Sequence, residues 1–245
     1  MARDPPQPRA AIVAAVIPCL DEEATITAVV TAVLAYGVND VIVVDGGSRD
    51  RTVVRARAAG AHVVRELRRG YGRAIQSGIA AVRSDAEILV FLDGDGSDRA
   101  EMIPDLIGPI VAGEVAFVHG TRLQGDREPG SLSLQQLIAG QIAGFLLRLV
   151  YGAQFTDMSP FRAIRCDALS RLGMRETTYG WNLEMLMRVA ATGLPAQEIA
   201  VGQRRRAGGV SKVSGNALAG LKAAWSIAAT FVRLAATLRR EAHSS

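Results

Sequence analysis

The chain has almost no lysine. Lys212 and Lys222 are the only two, and arginine supplies the remaining 26 of its 28 basic residues. It has two cysteines, Cys19 and Cys166, far apart and without metal-type spacing. That excludes a disulfide scaffold and a zinc site, and reads as reduced structural thiols in a cytosolic protein. Aromatic residues make up only 5% of the chain, with no zinc-finger spacing and no RNA-binding aromatic motif, so no nucleic-acid partner is expected. The most extended uncharged stretch, Ser131 to Leu147, contains three glutamines and two glycines and is too polar to span a bilayer. Met1 to Ala10 is polar, carries three prolines and lacks an apolar signal-peptide core, so residues 1–10 are expected to form a disordered leader.

What is present is enough apolar residue, 49% of 245, to bury a sizeable core in one large domain with at most an appendage. The net charge is +4 and the isoelectric point about 9.5, which suits an anionic partner such as a phosphorylated substrate or an anionic lipid surface.

The first half alternates apolar runs of strand length with helical stretches. Strands are expected at Ile12–Ile17, Val41–Val44, Ala61–Val64, Ile88–Leu92 and Val115–His119. Helices are expected at Ala24–Tyr36, Asp50–Ala59, Gly72–Val82 and Met102–Ala112. This order predicts an α/β fold with a mostly parallel central sheet and helices on both faces. In the second half, 120–130 reads as a loop, Trp181–Thr192 as a helix, Gln197–Val201 as a strand and Gly215–Arg240 as a long Ala-rich helix. There is no internal repeat.

The most informative feature is Asp93-Gly94-Asp95, delivered by the run Ile88–Leu92. A buried strand that ends in two carboxylates on a glycine-containing turn builds a charged site at the sheet edge where α/β folds bind ligands. Carboxylates so placed suit Mg²⁺ or Mn²⁺, which commonly bridge few protein ligands to substrate phosphates. Two more turns, Pro18–Glu23 and Asp45-Gly46-Gly47-Ser48, should line the same edge.

With those turns in order come Gly70-Tyr71-Gly72-Arg73-Ala74, Gly120-Thr121-Arg122, the run Asp157–Arg162 and the run Arg206–Lys212. Together, over roughly residues 11 to 215, they resemble family 2 glycosyltransferases of the GT-A fold, and within them the dolichol-phosphate mannose synthase-like branch. The resemblance implies a GT-A catalytic domain over 11–215, followed by a C-terminal amphipathic helix and tail over 216–245.

It also implies roles. Pro18, Leu20, Glu22 and Asp45 would hold the base and ribose of a nucleotide-sugar donor, with Gly72 and Arg73 near the base or diphosphate. Asp93, Gly94 and Asp95 would form the metal and diphosphate turn, Asp93 and Asp95 being the ligands. Arg122 would lie near the transferred group or acceptor phosphate, and Arg206 and Lys212 on a late basic loop that closes on the donor phosphates. Asp157 and Glu184 are the candidate bases if the acceptor is a hydroxyl. Departures from the pattern are Asp21 for Asn, Gly46 for a second Asp, Ser97 where a Gln or His often helps the metal, Gln135 and Gln136 near expected basic residues, and Pro160 for Gly.

The chemistry expected is inverting, metal-dependent transfer from a UDP- or GDP-sugar. Polyprenyl (dolichyl or undecaprenyl) phosphate is the leading acceptor and a soluble hydroxyl the alternative. The apolar run Ala223–Val232, flanked by Lys222 and Arg233, suits either a peripheral position at the inner face of the cell membrane or packing against the sheet or a homodimer partner. A non-catalytic nucleotide-sugar-binding protein is the competing class. A dinucleotide oxidoreductase or a sugar-phosphate nucleotidyltransferase would need glycines between first strand and first helix, where Pro18–Glu23 has none.

Overall fold

The computed structural model describes residues 11–206 and 217–242. The expected leader at 1–10 and the Lys212 loop therefore lie outside the described residues. Among the described residues, seven strands form one sheet: β1 (Val13–Cys19), β2 (Asp40–Asp45), β3 (His62–Arg65), β4 (Ile88–Phe91), β5 (Phe117–Thr121), β6 (Arg162–Arg165) and β7 (Ala196–Ala200). Their order is β3-β2-β1-β4-β6-β5-β7. All pairings are parallel except those of β6, which runs antiparallel to both β4 and β5.

The helices are α1 (Ile26–Ala35), α2 (Thr52–Ala58), α3 (Tyr71–Ala80), α4 (Ile103–Val111), α5 (Leu134–Tyr151), α6 (Cys166–Leu172), α7 (Trp181–Thr192) and α8 (Ala217–Ala242). The central strands are apolar on both sides because both faces are covered. Val13, Ala15, Ile17 and Cys19 join one core with Ile26, Val30 and Ile103, while Ala14 and Val16 join a second with Ile75, Trp181 and Leu186. α3 lies so close to the sheet that a Cβ on Gly78 would come within 2.4 Å of Val16 and 2.8 Å of Val44. Only glycine allows that approach.

The sequence missed β6 and α6. β6 reads Arg-Ala-Ile-Arg, too short and too charged to signal a strand, yet it is wedged between β4 and β5 and Arg162 is fully buried. α5 begins where Ser133 and Gln136 form a capping box, a Ser-x-x-Gln start in which each side chain satisfies the other residue's amide. Gln136 is thereby accounted for locally. α8 packs on α5 and α7, burying Phe231 and Leu234 in the second core, with the Phe231 ring beside Tyr151. Phe231 and Leu234 are thus covered by the rest of the chain, whereas Trp225 and Val232 are exposed. Among the described residues, no helix is long and apolar enough to cross a membrane.

The antiparallel insertion of β6 organises the site. β1, β2, β4, β5 and β7 all point their carboxyl ends to one edge, and β6 begins there. The exits of five strands and the entry to the sixth therefore converge: 20–23, 45–48, 93–98, 121–122, 157–162 and 203–206.

Candidate active site

The first two turns are built as one unit. Among the described residues, Asp21 is the only non-glycine with positive φ (54°), a left-handed conformation that Asp and Asn tolerate best. Its amide donates to Ser48 Oγ (2.9 Å), and its Oδ1 accepts from the Arg49 amide (2.8 Å). The Glu22 amide donates to Thr52 Oγ1 at 2.8 Å and the Glu23 amide to Asp50 Oδ2 at 3.1 Å. Thr25 Oγ1 donates to the Gly94 carbonyl at 2.8 Å, which ties this unit to the acidic turn.

Asp45 sits at the end of β2, fully buried. Its Oδ1 accepts from the Ser48 amide at 3.0 Å. Its Oδ2 is buried without a hydrogen bond, and the nearest cation, Arg65 Nε, is 3.6 Å away. Such an orphaned acceptor costs about 1–3 kcal/mol, which a donor group on a ligand would offset.

The acidic turn holds three carboxylates rather than two. Asp95 is 3% exposed; its Oδ1 accepts from the Ser97 amide (2.9 Å) and hydroxyl (2.6 Å), and its Oδ2 pairs with Arg206 Nε at 2.6 Å. The Asp93 amide donates to Asp98 Oδ2 at 2.8 Å. Burial, reinforced by the neighbouring charges of Asp98 and Asp95, holds the Asp93 carboxyl well above its usual range. Burial likewise pushes Asp98 up to about 7, with the Asp95 charge adding to it. Asp98 was not among the expected site residues. The available signal was a third carboxylate within the same turn, five positions after the first.

Beside this turn, Arg122 clasps Asp157 in a buried fork, Nε to Oδ2 at 2.7 Å and Nη2 to Oδ1 at 2.8 Å. The Met158 amide also donates to Asp157 Oδ1 at 2.6 Å. Although burial works against it, the Arg122 charge and these hydrogen bonds hold Asp157 down at about 2. Arg162 donates from Nε to the Pro160 carbonyl, from Nη1 to Asn182 and from Nη2 to Ser159, all backbone oxygens; burial lowers its pKa to about 10. A guanidinium satisfied by neutral carbonyls keeps its charge available to the nearby carboxylates.

Two hydrogen-bonded turns, an acidic turn and buried arginines at one edge of the sheet bear directly on ancestry. The glycosyl transferase family 2 model matches residues 14–173. The chain belongs to that family. As a family 2 glycosyltransferase it is 35% identical over 206 residues to an uncharacterized glycosyltransferase of Mycobacterium bovis, an alignment covering 83% of this chain and 90% of that one. Glucosyl-3-phosphoglycerate synthase of Mycolicibacterium paratuberculosis is 42% identical over 114 residues, covering 42% of this chain and 34% of that enzyme. The fold matches a crystal structure of glucosyl-3-phosphoglycerate synthase from Mycobacterium tuberculosis in complex with Mn²⁺, uridine diphosphate and glucosyl-3-phosphoglycerate. Its TM-score is 0.70 at 23% identity, covering 96% of this chain and 86% of that one.

The glycosyltransferase's expected residues divide by geometry. Glu22, Asp45, Asp93, Asp95, Arg122, Asp157 and Arg206 come to the common edge. Gly72 is fixed by packing: a Cβ there would meet the Glu176 carbonyl oxygen at 2.3 Å, and its amide already donates to the Thr178 carbonyl at 3.1 Å. The Arg73 amide is likewise taken by Thr177 at 3.1 Å. The opening turn of α3 is therefore capped by protein rather than offered to phosphate.

Glu184 is 1% exposed and fully engaged. Its oxygens accept from the amides of Arg175 (3.1 Å) and Glu176 (2.7 Å) and from Arg188 Nε (2.9 Å). The geometry makes it an organiser of the 175–178 segment on which α3 sits.

Among the described residues, no group of three or more His, Cys, Asp or Glu side chains is arranged to hold a metal unaided. Two carboxylates completed by substrate phosphates are the arrangement Mg²⁺ favours. Burial and the neighbouring charges of Asp98 and Asp95 both raise Asp93, and a divalent cation would offset both, so the residues fit one.

Proposed function

We propose that this family 2 glycosyltransferase moves a sugar from a UDP-sugar to a soluble, phosphate-bearing hydroxyl acceptor, with Mg²⁺ or Mn²⁺ on the donor diphosphate. The observation that carries the donor half is the joining of the first two turns, which hold Asp45 with its buried Oδ2 lacking a hydrogen bond and 3.6 Å from Arg65 Nε, to the Asp93–Asp95 turn through the Thr25–Gly94 hydrogen bond. Asp45 and the Pro18–Glu22 turn would receive the nucleoside. Asp93 and Asp95 would hold the cation, which when bound stabilises charge on the leaving diphosphate. Arg206, already at this turn, would add a guanidinium to the same phosphates.

The acceptor half rests on the relatives. The matched synthase is named for a phosphoglycerate acceptor, and the solved relative holds UDP, Mn²⁺ and the glucosylated product. Those names support the soluble acceptor over the dolichol-phosphate mannose synthase-like branch. Arg122, a buried cation whose charge acts on Asp93 and Asp98, is suited to orient an anionic acceptor. The expectation of inversion gains no support from the geometry, because Asp157 is held at about 2 by Arg122 and Glu184 is committed to backbone amides. We assign both to positioning: Asp157 fixes Arg122, and Glu184 fixes 175–178.

A second reading, a polyprenyl phosphate acceptor, is favoured by exposed Phe145 and Leu149 on α5 and Trp225 on α8. The deciding experiment offers UDP-glucose and GDP-mannose with Mn²⁺ to the enzyme, against 3-phosphoglycerate and against undecaprenyl phosphate in vesicles. Product formation from UDP-glucose and 3-phosphoglycerate supports the proposal. Product only on the lipid overturns its acceptor half. The anomeric coupling constant of the product reads inversion or retention.

A further inference from the structure

We propose that Arg206 is an exchangeable counter-ion: it holds Asp95 in the free protein and releases that carboxylate to a divalent cation, its guanidinium moving onto the donor's diphosphate. This rests on the donor-site reading above and adds a specific order of events to it.

Asp95 is 3% exposed, and a buried carboxylate paired with a cation depends on that partner. Its Oδ1 is occupied by the Ser97 amide and hydroxyl, so Oδ2 is the oxygen left for a cation. Arg206 Nε lies on that oxygen at 2.6 Å. The guanidinium therefore stands where a metal ligated by Asp95 would compete with it.

The surroundings make the exchange local. The chain leading to Arg206 is pinned to the acidic turn: the Arg204 amide donates to the Ser97 carbonyl at 2.9 Å, and Gln203 Nε2 to Ser97 Oγ at 3.2 Å. Release of Asp95 thus needs only a swing of the Arg206 side chain, which is about one-third exposed (34%). Its Nη1 already reaches to 4.0 Å from Glu22 Oε1 on the first turn. Arg206 therefore spans the gap between the proposed nucleoside turn and the proposed metal turn, where a diphosphate joining them would run. A planar guanidinium fork also binds phosphate oxygens in pairs, so it has a second partner once Asp95 is given up.

The consequence is thermodynamic. A cation arriving alone must displace Arg206 from Asp95 with only Glu22 Oε1, 4.0 Å from Nη1, to receive it. A cation arriving with a nucleoside diphosphate displaces it onto the phosphates. Cation and nucleotide therefore bind cooperatively, and reciprocity requires the coupling to be equal in both directions.

The test is a Mn²⁺ titration, read by the electron paramagnetic resonance signal of free Mn²⁺, with and without UDP. It compares wild type, Arg206→Gln, Arg206→Lys and the double variant Arg206→Gln/Asp95→Asn. Without nucleotide, Arg206→Gln should bind Mn²⁺ tighter by on the order of tenfold, within the usual range of coupling between sites. The enhancement by UDP should shrink in the same variant. Arg206→Lys, which keeps the charge, should gain less. The double variant should gain nothing.

An Arg206→Gln protein that binds Mn²⁺ no tighter than wild type overturns the inference while leaving the donor reading intact. A gain that survives in the double variant overturns it too, since the effect would then not pass through Asp95. A wild type that binds no Mn²⁺ even with UDP overturns the donor reading and the inference together.

Discussion

Arg122 and Asp157 meet through two parallel hydrogen bonds, 2.7 and 2.8 Å long, in a setting where neither side chain is more than 9% exposed. The pair joins the end of β5 to the segment entering β6, so it closes the site across the one antiparallel insertion in the sheet. Removing one partner leaves the other charged and buried. Asp157→Ala should therefore lower unfolding free energy by about 3–5 kcal/mol, measured by urea denaturation at pH 7.

The same pair fixes an acid limit. Asp157 is depressed from 3.8 to about 2, so its stabilisation is fully present above the unfolded value and is lost as pH falls from about 4 to about 2. Wild type should lose stability across that window more steeply than Asp157→Asn, in denaturation curves taken at half-unit pH steps.

His119 acts in a higher window. It is fully buried, stacked on Phe117 and edge-on to Phe155, and neither ring nitrogen has a hydrogen-bond partner. Burial holds it down at about 3, so it is neutral when folded. Glu198, 3.9 Å away, consequently gains no ion pair from it at neutral pH. The unfolded chain takes up a proton below about 6.5 while the folded one does not. Stability is thus full above that pH and falls by roughly 1.4 kcal/mol per unit below it. His119→Phe should remove this slope, gaining about 2 kcal/mol relative to wild type at pH 5 over its effect at pH 8. Equal effects at both pH values would contradict the neutral assignment.

Glu184 separates two roles. A general base removed by Glu184→Gln would cost about 10²–10⁴-fold in kcat with stability preserved. The observed hydrogen bonds predict the reverse: a loss of about 2 kcal/mol in stability from weakened acceptors to two amides and Arg188. The kcat of the folded variant should change by less than roughly tenfold.

Gly72 supplies a matching control on the donor side. Gly72→Ala drives a Cβ against the Glu176 carbonyl, and overpacking of this kind costs about 1–3 kcal/mol. The variant should be destabilised. An unchanged melting temperature with lost UDP binding would restore the ligand role first read from its motif.

The strands that lead into the Pro18–Glu23, Asp45–Ser48 and Asp93–Asp95 turns were legible because Ile12–Ile17, Val41–Val44 and Ile88–Leu92 are apolar runs of strand length closed by turn residues. The DGD turn was legible because paired carboxylates on a buried strand have few structural uses. β6 was not, since Arg162 is made burial-compatible by carbonyls of 159, 160 and 182 that no local pattern announces. The engagement of Glu184 was hidden for a similar reason. Its partners lie at 175 and 176, on a segment that folds back over the start of α7. Sequence position suggests a base there, and only tertiary contact shows the oxygens in use. Arg206 was expected from the resemblance on a late basic loop, but its pairing with Asp95 depends on β7 leaving the sheet beside the acidic turn.

The central claim, a cation-assisted nucleoside diphosphate site at Asp93 and Asp95, is tested most directly by calorimetric titration of UDP into the protein with and without Mn²⁺. Wild type and Asp93→Ala should be compared. The account predicts UDP binding that strengthens with Mn²⁺ in wild type and loses that dependence in Asp93→Ala. UDP binding equally strong in both proteins, and indifferent to the cation, would contradict it.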